Sequence, residues 1–341
     1  YDNSCDSHDL FAPYEIARDP SYEEHINKYD VIGLDVQSFF LLDDDPQAFI
    51  KRLETAVLEE VCAKWSDIDG LKDMRLVNAL IKVHETTGAK FIFVIDEWDA
   101  VFRYYPDDED LQKNWIHFLR DMFKQEDIDE SVALVYMTGI LPVKKYKTQS
   151  SLNQFFEYTM LRPLELEKYV GFLPAEVDAL CEKFDMNRAE AAEWYDGYML
   201  PHEHHVYNPC SVARAMKSRT YGSYWTKTDT FESLLDYINN DLDGVYSDVM
   251  SMIGGKRVVI DTNSYDNSFT TPQCKDDCFT LLAHIGYLAY DATTSQVFIP
   301  NEEVRMAFRG ALKMCSWPEA IKPYQRSQKF IEAIHDGDSA T

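Results

Sequence analysis

The sequence predicts an α/β protein: a parallel sheet with crossover helices in the first half, then a helical region, then a smaller α+β region. Three observations carry this reading. From residue 31 to residue 137 short apolar runs alternate with stretches of helical periodicity, the pattern of strands joined by crossover helices. The run Phe91-Ile92-Phe93-Val94-Ile95 is apolar throughout, as a strand buried on both faces requires, and it stops abruptly at Asp96-Glu97. After Pro163 the pattern changes to short helices, and from Gly244 onward to a helix, hairpin, helix arrangement.

Taken in order, residues 31–36 read as the first strand. Helical periodicity follows over 46–64, with Pro46 in a first-turn position after three aspartates, and again over 71–87. The 91–96 strand comes next, then a helix over 111–124, a buried strand over 132–137 ending in Thr138-Gly139, and a last short strand over 158–161. Helices with start signals are expected over 174–184, 188–195 and 209–217. The third region supplies a helix to Ile253, a strand over 258–260 and a helix over 275–285. A hairpin then pairs 286–290 with 296–300, and a helix covers 301–313. That spacing suggests a winged helix, with a linker and one amphipathic helix from Cys315 onward. The domain boundaries are therefore placed at 1–162, 163–243, 244–313 and 314–341.

Composition narrows the function classes. The chain has 341 residues, 45% of them hydrophobic and 13% aromatic, enough for two or three packed cores. Its net charge of −26 opposes broad, non-specific binding to nucleic acid or anionic membrane. A local basic cluster, Lys144-Lys145-Tyr146-Lys147, reads as a solvated loop with phosphate binding as its rival. No run of apolar residues is long enough to span a bilayer and no signal pattern opens the sequence, so a soluble, cytoplasmic protein is expected. Seven scattered cysteines fit reduced thiols without zinc spacing. Cys274 and Cys278 near His284 read as packing, and the cluster His202, His204, His205 and Cys210 as an opportunistic metal binder at most.

Chemistry concentrates at the end of the 91–96 strand, because α/β sheets place ligands at their carboxyl ends. There Asp96-Glu97-Trp98-Asp99 has the form of a Walker B motif. Asp96 would hold Mg²⁺ directly or through water, and Glu97 would orient or deprotonate the water that attacks a γ-phosphate. The rival reading is a strand ending in a solvated acidic loop. The glycine-rich loop and lysine that cradle the phosphates are absent. Gly254-Gly255-Lys256-Arg257 imitates them, but Met250 stands in the first glycine's place, Arg257 replaces the Ser/Thr ligand, and the order along the chain is wrong. These residues give an α/β parallel sheet with a Walker B-like strand end and no P-loop, followed by a helical region and a winged-helix-like α+β domain.

Several motifs together resemble one family. They are Asp96 to Asp99 after the apolar strand, Tyr136-Met137-Thr138-Gly139-Ile140-Leu141-Pro142, Trp194-Tyr195-Asp196-Gly197-Tyr198, Tyr207-Asn208-Pro209, Tyr224-Trp225, and Ile299-Pro300-Asn301-Glu302-Glu303-Val304-Arg305. The chain resembles the AAA-ATPase-like proteins that carry a PD-(D/E)XK nuclease-like domain at the C-terminus, and the resemblance implies a P-loop NTPase-like parallel sheet, its first strand and P-loop missing from this chain, followed by a helical lid and a winged-helix-like α+β domain. The resemblance implies Mg²⁺ and ATP as cofactors, Asp96 as the metal acid, Glu97 as the water-activating base and Thr138 as a sensor of the γ-phosphate. Thr138 has a rival role as a turn cap. Asp99 is placed in the nucleotide site as a cofactor-binding residue, its own rivals being a helix cap or an acid behind the metal ligand. Trp194 to Tyr198 reads as structural, and Arg162 as a surface arginine with a phosphate contact as its rival.

The resemblance also implies truncation at both ends, with the P-loop segment upstream of Tyr1 and the nuclease-like domain downstream. By the family's sheet order the P-loop strand would lie between the strand ending at Thr138 and the one near Leu161. Its loss would expose two edges, so either another segment fills the gap or the order is rearranged. The leading expectation is an AAA-like ATPase or ATP-sensing module that regulates the attached nuclease-like domain, binding ATP poorly in this chain. Its partners would be ATP and a protein or a second copy, with nucleic acid involved only indirectly. Competing readings are a non-catalytic interaction scaffold with a vestigial nucleotide site, opposed by the retention of Asp96 and Glu97, and DNA binding by the winged helix. The latter is opposed by Asp276, Asp277, Glu302 and Glu303, which would face phosphates badly.

Overall fold

The computed structural model describes residues 2–40, 45–124, 128–140, 152, 154–200, 205–225, 242–262, 272 and 274–314. The chain divides into two compact units, Tyr1–Glu157 and Tyr158–Thr341. The basic cluster at 144–147, two of the clustered histidines and the segment from Cys315 lie outside the described residues.

The first unit opens with two short helices, α1 (His8–Phe11) and α2 (Tyr22–His25), ahead of strand β1 (Asp30–Asp35). The strand ends one residue earlier than its sequence suggests, because the fully buried Val36 begins helix α3 (Val36–Phe40). Pro46–Ala48 forms a single 3-10 turn whose entry is capped by the Asp45 carboxylate, and α4 (Phe49–Lys64) follows. Helix α5 (Leu76–Thr87) is stopped by Gly88 in the left-handed region, φ +75°, and leads into β2 (Phe91–Asp96). After it come α6 (Ala100–Tyr104), α7 (Glu109–Phe123) and β3 (Val132–Met137). Asp108 caps α7 by accepting the Leu111 amide hydrogen at 2.9 Å.

The three strands are parallel in the order β1-β2-β3, with Asp35 beside Asp96 at the carboxyl end. The strand register sorts their side chains to two faces. Leu34, Phe93 and Ile95 are buried on one of them, where Phe93 meets Phe123 of α7 with ring centres 5.1 Å apart. The other face is open over much of its area among the described residues: Ile92 is buried, but Val94 is 38% exposed, Leu134 44% and Tyr136 51%. A parallel sheet is ordinarily covered on both sides. The strand order is not rearranged, and among the described residues no segment pairs with the free edge of β3. The strand expected at 158–161 does not form either. Thr159 and Arg162 exchange backbone hydrogen bonds with each other across a tight turn, which leaves the segment no register for a sheet partner.

The second unit begins with three helices, α8 (Pro174–Phe184), α9 (Arg188–Tyr195) and α10 (Pro209–Ser218). Asn187 and Asn208 accept amide hydrogens at the starts of α9 and α10. Their core holds Val177, Cys181, Tyr195, Val212 and Met216. A two-residue antiparallel pair, β4 (Tyr198–Met199) with β5 (His205–Val206), sits between them. At the turn before β4, Gly197 has φ +110° and the Pro300 carbonyl lies where a Cβ would be, so only glycine fits. Then follow α11 (Val245–Ile253), β6 (Val258–Val259), α12 (Lys275–His284), the hairpin β7 (Ala289–Asp291) and β8 (Gln296–Phe298), and α13 (Glu302–Met314). The small sheet has the order β6-β8-β7 and closes over Phe279, Leu282, Tyr287, Val304 and Phe308.

Glu303 corrects an expectation. It does not face outward: it is 1% exposed, and its carboxylate accepts the Ser211 hydroxyl at 2.7 Å and the amide hydrogens of Tyr224 and Trp225 at 2.5 and 2.8 Å. Three donors held by other elements outweigh the pull of water on a lone carboxylate. Glu302 remains near the surface and pairs with Arg305 and Arg309.

Candidate functional site

The carboxyl ends of β2 and β3 are tied together by the residues the sequence singled out. Backbone bonds come first: Thr138 N–H donates to the Ile95 carbonyl at 2.8 Å and Trp98 N–H to the Thr138 carbonyl at 3.0 Å. These set the Thr138 hydroxyl against Asp96 Oδ1, to which it donates, and the Glu97 amide donates to the same oxygen at 3.0 Å. Asp96 and Thr138 thus meet although 42 residues separate them. Among the described residues no hydrogen bond reaches Asp96 Oδ2.

Glu97 has φ +53°, in the left-handed region that a side chain other than glycine adopts at a cost. The turn places its carboxylate beside Arg103 of α6, whose Nη2 donates to Oε2. The Glu97 pKa is raised from its ordinary value. Burial is the largest cause; Arg103 opposes it, and the negative charges of Asp99, Asp96 and Asp35 add to it. Asp99 occupies the N-cap position of α6, yet its fully buried carboxylate does not cap that helix. It accepts the Ile140 amide hydrogen at 3.2 Å instead and lies 3.4 Å from Arg103 Nε.

Trp98 is buried beneath this cluster, and its carbonyl accepts from the Trp115 indole at 2.9 Å. Gly139 lies directly over it. A Cβ at position 139 would stand 2.7 Å from the Trp98 ring and 2.8 Å from Asp99 Oδ1, so the close approach of β3's end to the acids depends on a residue with no side chain.

Sequence reasoning named Asp96, Glu97, Asp99 and Thr138, and the structure brings all four together. It missed Arg103 and Asp35. Arg103 follows Asp99 at helical spacing, which is the signal that points to it. Asp35 stands at a strand end in the register position of Asp96, which only the pairing reveals. Arg162 is exposed in the turn with Thr159. His205 lies 3.4 Å from Asp196, and Cys278 is a buried core thiol pushed up to about 12 by burial. Among the described residues no group of three or more His, Cys, Asp or Glu is placed to hold a metal by itself. A cavity of about 680 Å³ near Tyr104 is lined by Asp107, Asp108, Glu109, Asp110 and Lys113, four acids against one cation, a net negative setting that disfavours phosphates.

Residues 1–148 match a family model described as Predicted AAA-ATPase. The match supports an AAA-ATPase-like family. It spans 148 of the 341 residues, including the whole parallel sheet and Asp35, Asp96, Glu97 and Asp99, and it supports a general ATPase-like module in that part of the chain. Such a family suggests use of ATP and Mg²⁺. No curated protein sequence matches the chain. Among the described residues no helix is long and apolar enough to cross a membrane.

Proposed function

We propose that the chain is an AAA-like ATPase or ATP-sensing module with a Walker B site at the ends of β2 and β3. The observation that carries the reading is the Thr138 hydroxyl on Asp96 Oδ1, with Glu97 next in sequence on a left-handed backbone. That bond turns Asp96 so that its second oxygen is open, and one carboxylate oxygen beside a hydroxyl suits a magnesium ion that keeps most of its ligands as water and phosphate. Mg²⁺, when bound, supplies charge neutralisation at the phosphate oxygens. Glu97, with its raised pKa, takes the proton of the attacking water. Thr138 acts as the sensor, since any shift of Asp96 pulls directly on its hydroxyl and on the end of β3. Asp99, being fully buried, stands behind the site rather than against the nucleotide.

The open edge of β3 and the uncovered face bearing Val94, Leu134 and Tyr136 support a further strand, glycine-rich loop and helix docking there from outside these residues. Residues 1–162 form the nucleotide core in this proposal, 163–243 a helical lid, 244–313 a winged-helix-like domain, and 314–341 a linker to a nuclease-like domain regulated by nucleotide state. Its setting is the cytoplasm.

The test is calorimetric binding of Mg-ATP to this chain and to a form extended upstream, with Glu97→Gln alongside. The expected result is binding by the extended form, and binding without hydrolysis by its Glu97→Gln variant. Failure of both forms to bind overturns the reading in favour of an interaction scaffold that uses the open edge of β3.

A further inference from the structure

Arg103 has no assigned role, yet it is the cation in contact with Glu97. It lies four residues after Asp99 and six after Glu97. Its Nη2 donates to Glu97 Oε2, and its Nε stands 3.4 Å from Asp99 Oδ2. Asp99 is in turn fixed to the end of β3 by the Ile140 amide. The guanidinium carbon lies 5.8 Å from the centre of the Tyr104 ring, and the Tyr104 hydroxyl accepts from Gln37 Nε2 at 2.7 Å.

This chain of contacts runs from a fully buried carboxylate, through a guanidinium, to one oxygen of a half-buried carboxylate. Among the described residues Glu97 Oε1 takes no hydrogen bond. A solvated surface pair would leave both partners mobile and contribute little. Here the side chains of Arg103 and Glu97 are only 24% and 30% exposed, and the Glu97 backbone is pinned by the Asp96 carboxylate. Holding one oxygen and leaving the other open is what a reacting carboxylate needs in order to present a lone pair in a fixed direction.

We propose that Arg103 is the positioning residue of the site, anchored on Asp99 and holding Glu97 so that Oε1 faces the water it is to deprotonate. The proposal rests on reading Glu97 as the base of a nucleotide hydrolase. It makes Arg103 necessary for turnover and irrelevant to nucleotide affinity.

The experiment has two arms, each run on this chain and on its upstream-extended form. The first is a double-mutant cycle of Arg103→Gln with Glu97→Gln, read by chemical denaturation. The stability change of the double variant is expected to differ from the sum of the two single changes; additive changes overturn the contact. The second arm is steady-state ATP hydrolysis. Arg103→Gln is expected to lower kcat about 10- to 100-fold with KM unchanged, and Arg103→Lys to recover part of the loss. A kcat within twofold of the parent, or a loss carried by KM, overturns the positioning role even if the contact exists. Failure of both parent forms to bind Mg-ATP overturns the nucleotide reading itself, which the binding experiment reveals before Arg103 is varied.

Discussion

Glu303 in the second unit and Glu97 in the first are both withdrawn from bulk water, and their surroundings differ in kind. Glu303 is surrounded by donors: a hydroxyl and two amides converge on it from separate elements. Glu97 is surrounded by acids: burial raises its pKa most, a single arginine opposes that shift, and three aspartates add to it. The first arrangement fastens α13 to α10 and to the Tyr224–Trp225 segment. The second concentrates negative charge on a strained backbone at the carboxyl end of the central strand, which stability alone gives no reason to keep. Removing the first should cost stability and removing the second should cost chemistry.

The sharpest test of that contrast is Glu303→Ala, which leaves three buried donors unmet and should destabilise the second unit by about 3 kcal/mol or more, measured by urea denaturation. Glu303→Gln, which keeps an acceptor oxygen, should cost clearly less. Gly139→Ala comes next. Its methyl group must displace the Trp98 ring or the Asp99 carboxylate, so a loss of about 1 to 3 kcal/mol is expected in the first unit, with a change in tryptophan fluorescence on folding. If the substitution is neutral, the support beneath the acids is looser than the contacts imply.

Two pH experiments separate the units. Burial depresses His284 from 6.5 to about 4, so the unfolded chain takes up the proton first. The second unit should therefore lose stability as pH falls from 6.5 toward about 4, and His284→Gln should flatten that window. Glu97 shifts the other way. An acid whose folded pKa is raised above 4.5 favours folding most at low pH and progressively less as pH rises. Glu97→Gln should accordingly gain on the parent as pH rises above 4.5, a small effect because the group is partly solvated, while abolishing hydrolysis in the extended form. A stability loss for Glu97→Gln at neutral pH would make Glu97 a fastener like Glu303 and remove the contrast. Smallest of all, Leu134→Ser on the open sheet face should change stability by no more than about 0.5 kcal/mol by the same denaturation measurement.

Much of the fold was legible in local pattern. The strands at 91–96 and 132–137 and the helices α7, α9 and α10 form within about two residues of where the sequence places them, because each signal resides within a few neighbouring residues, whereas α4 and α5 start at Phe49 and Leu76 rather than at 46 and 71. The 158–161 segment was misread since four apolar and polar residues fit a turn as well as a strand. Glu303 was misread because its partners Ser211, Tyr224 and Trp225 are 78 to 92 residues away. The candidate site was half legible: Asp96, Glu97 and Asp99 announce themselves by an abrupt change of polarity, and Thr138 by the end of the next strand. Arg103 and Asp35 are ordinary surface residues until the turn after β2 and the β1–β2 register bring them in.

The sequence by itself determined that strand β2 is apolar and ends in carboxylates, because side-chain hydrophobicity and spacing are properties of the chain whatever it packs against. Only the tertiary structure decided what each carboxylate does. A hydroxyl turns Asp96, a guanidinium holds Glu97, an amide from the end of β3 holds Asp99, and three donors bury Glu303. The charge of a carboxylate is written in the chain, but its hydration, pKa and direction depend on which groups approach within about 3 Å, and the fold alone supplies those.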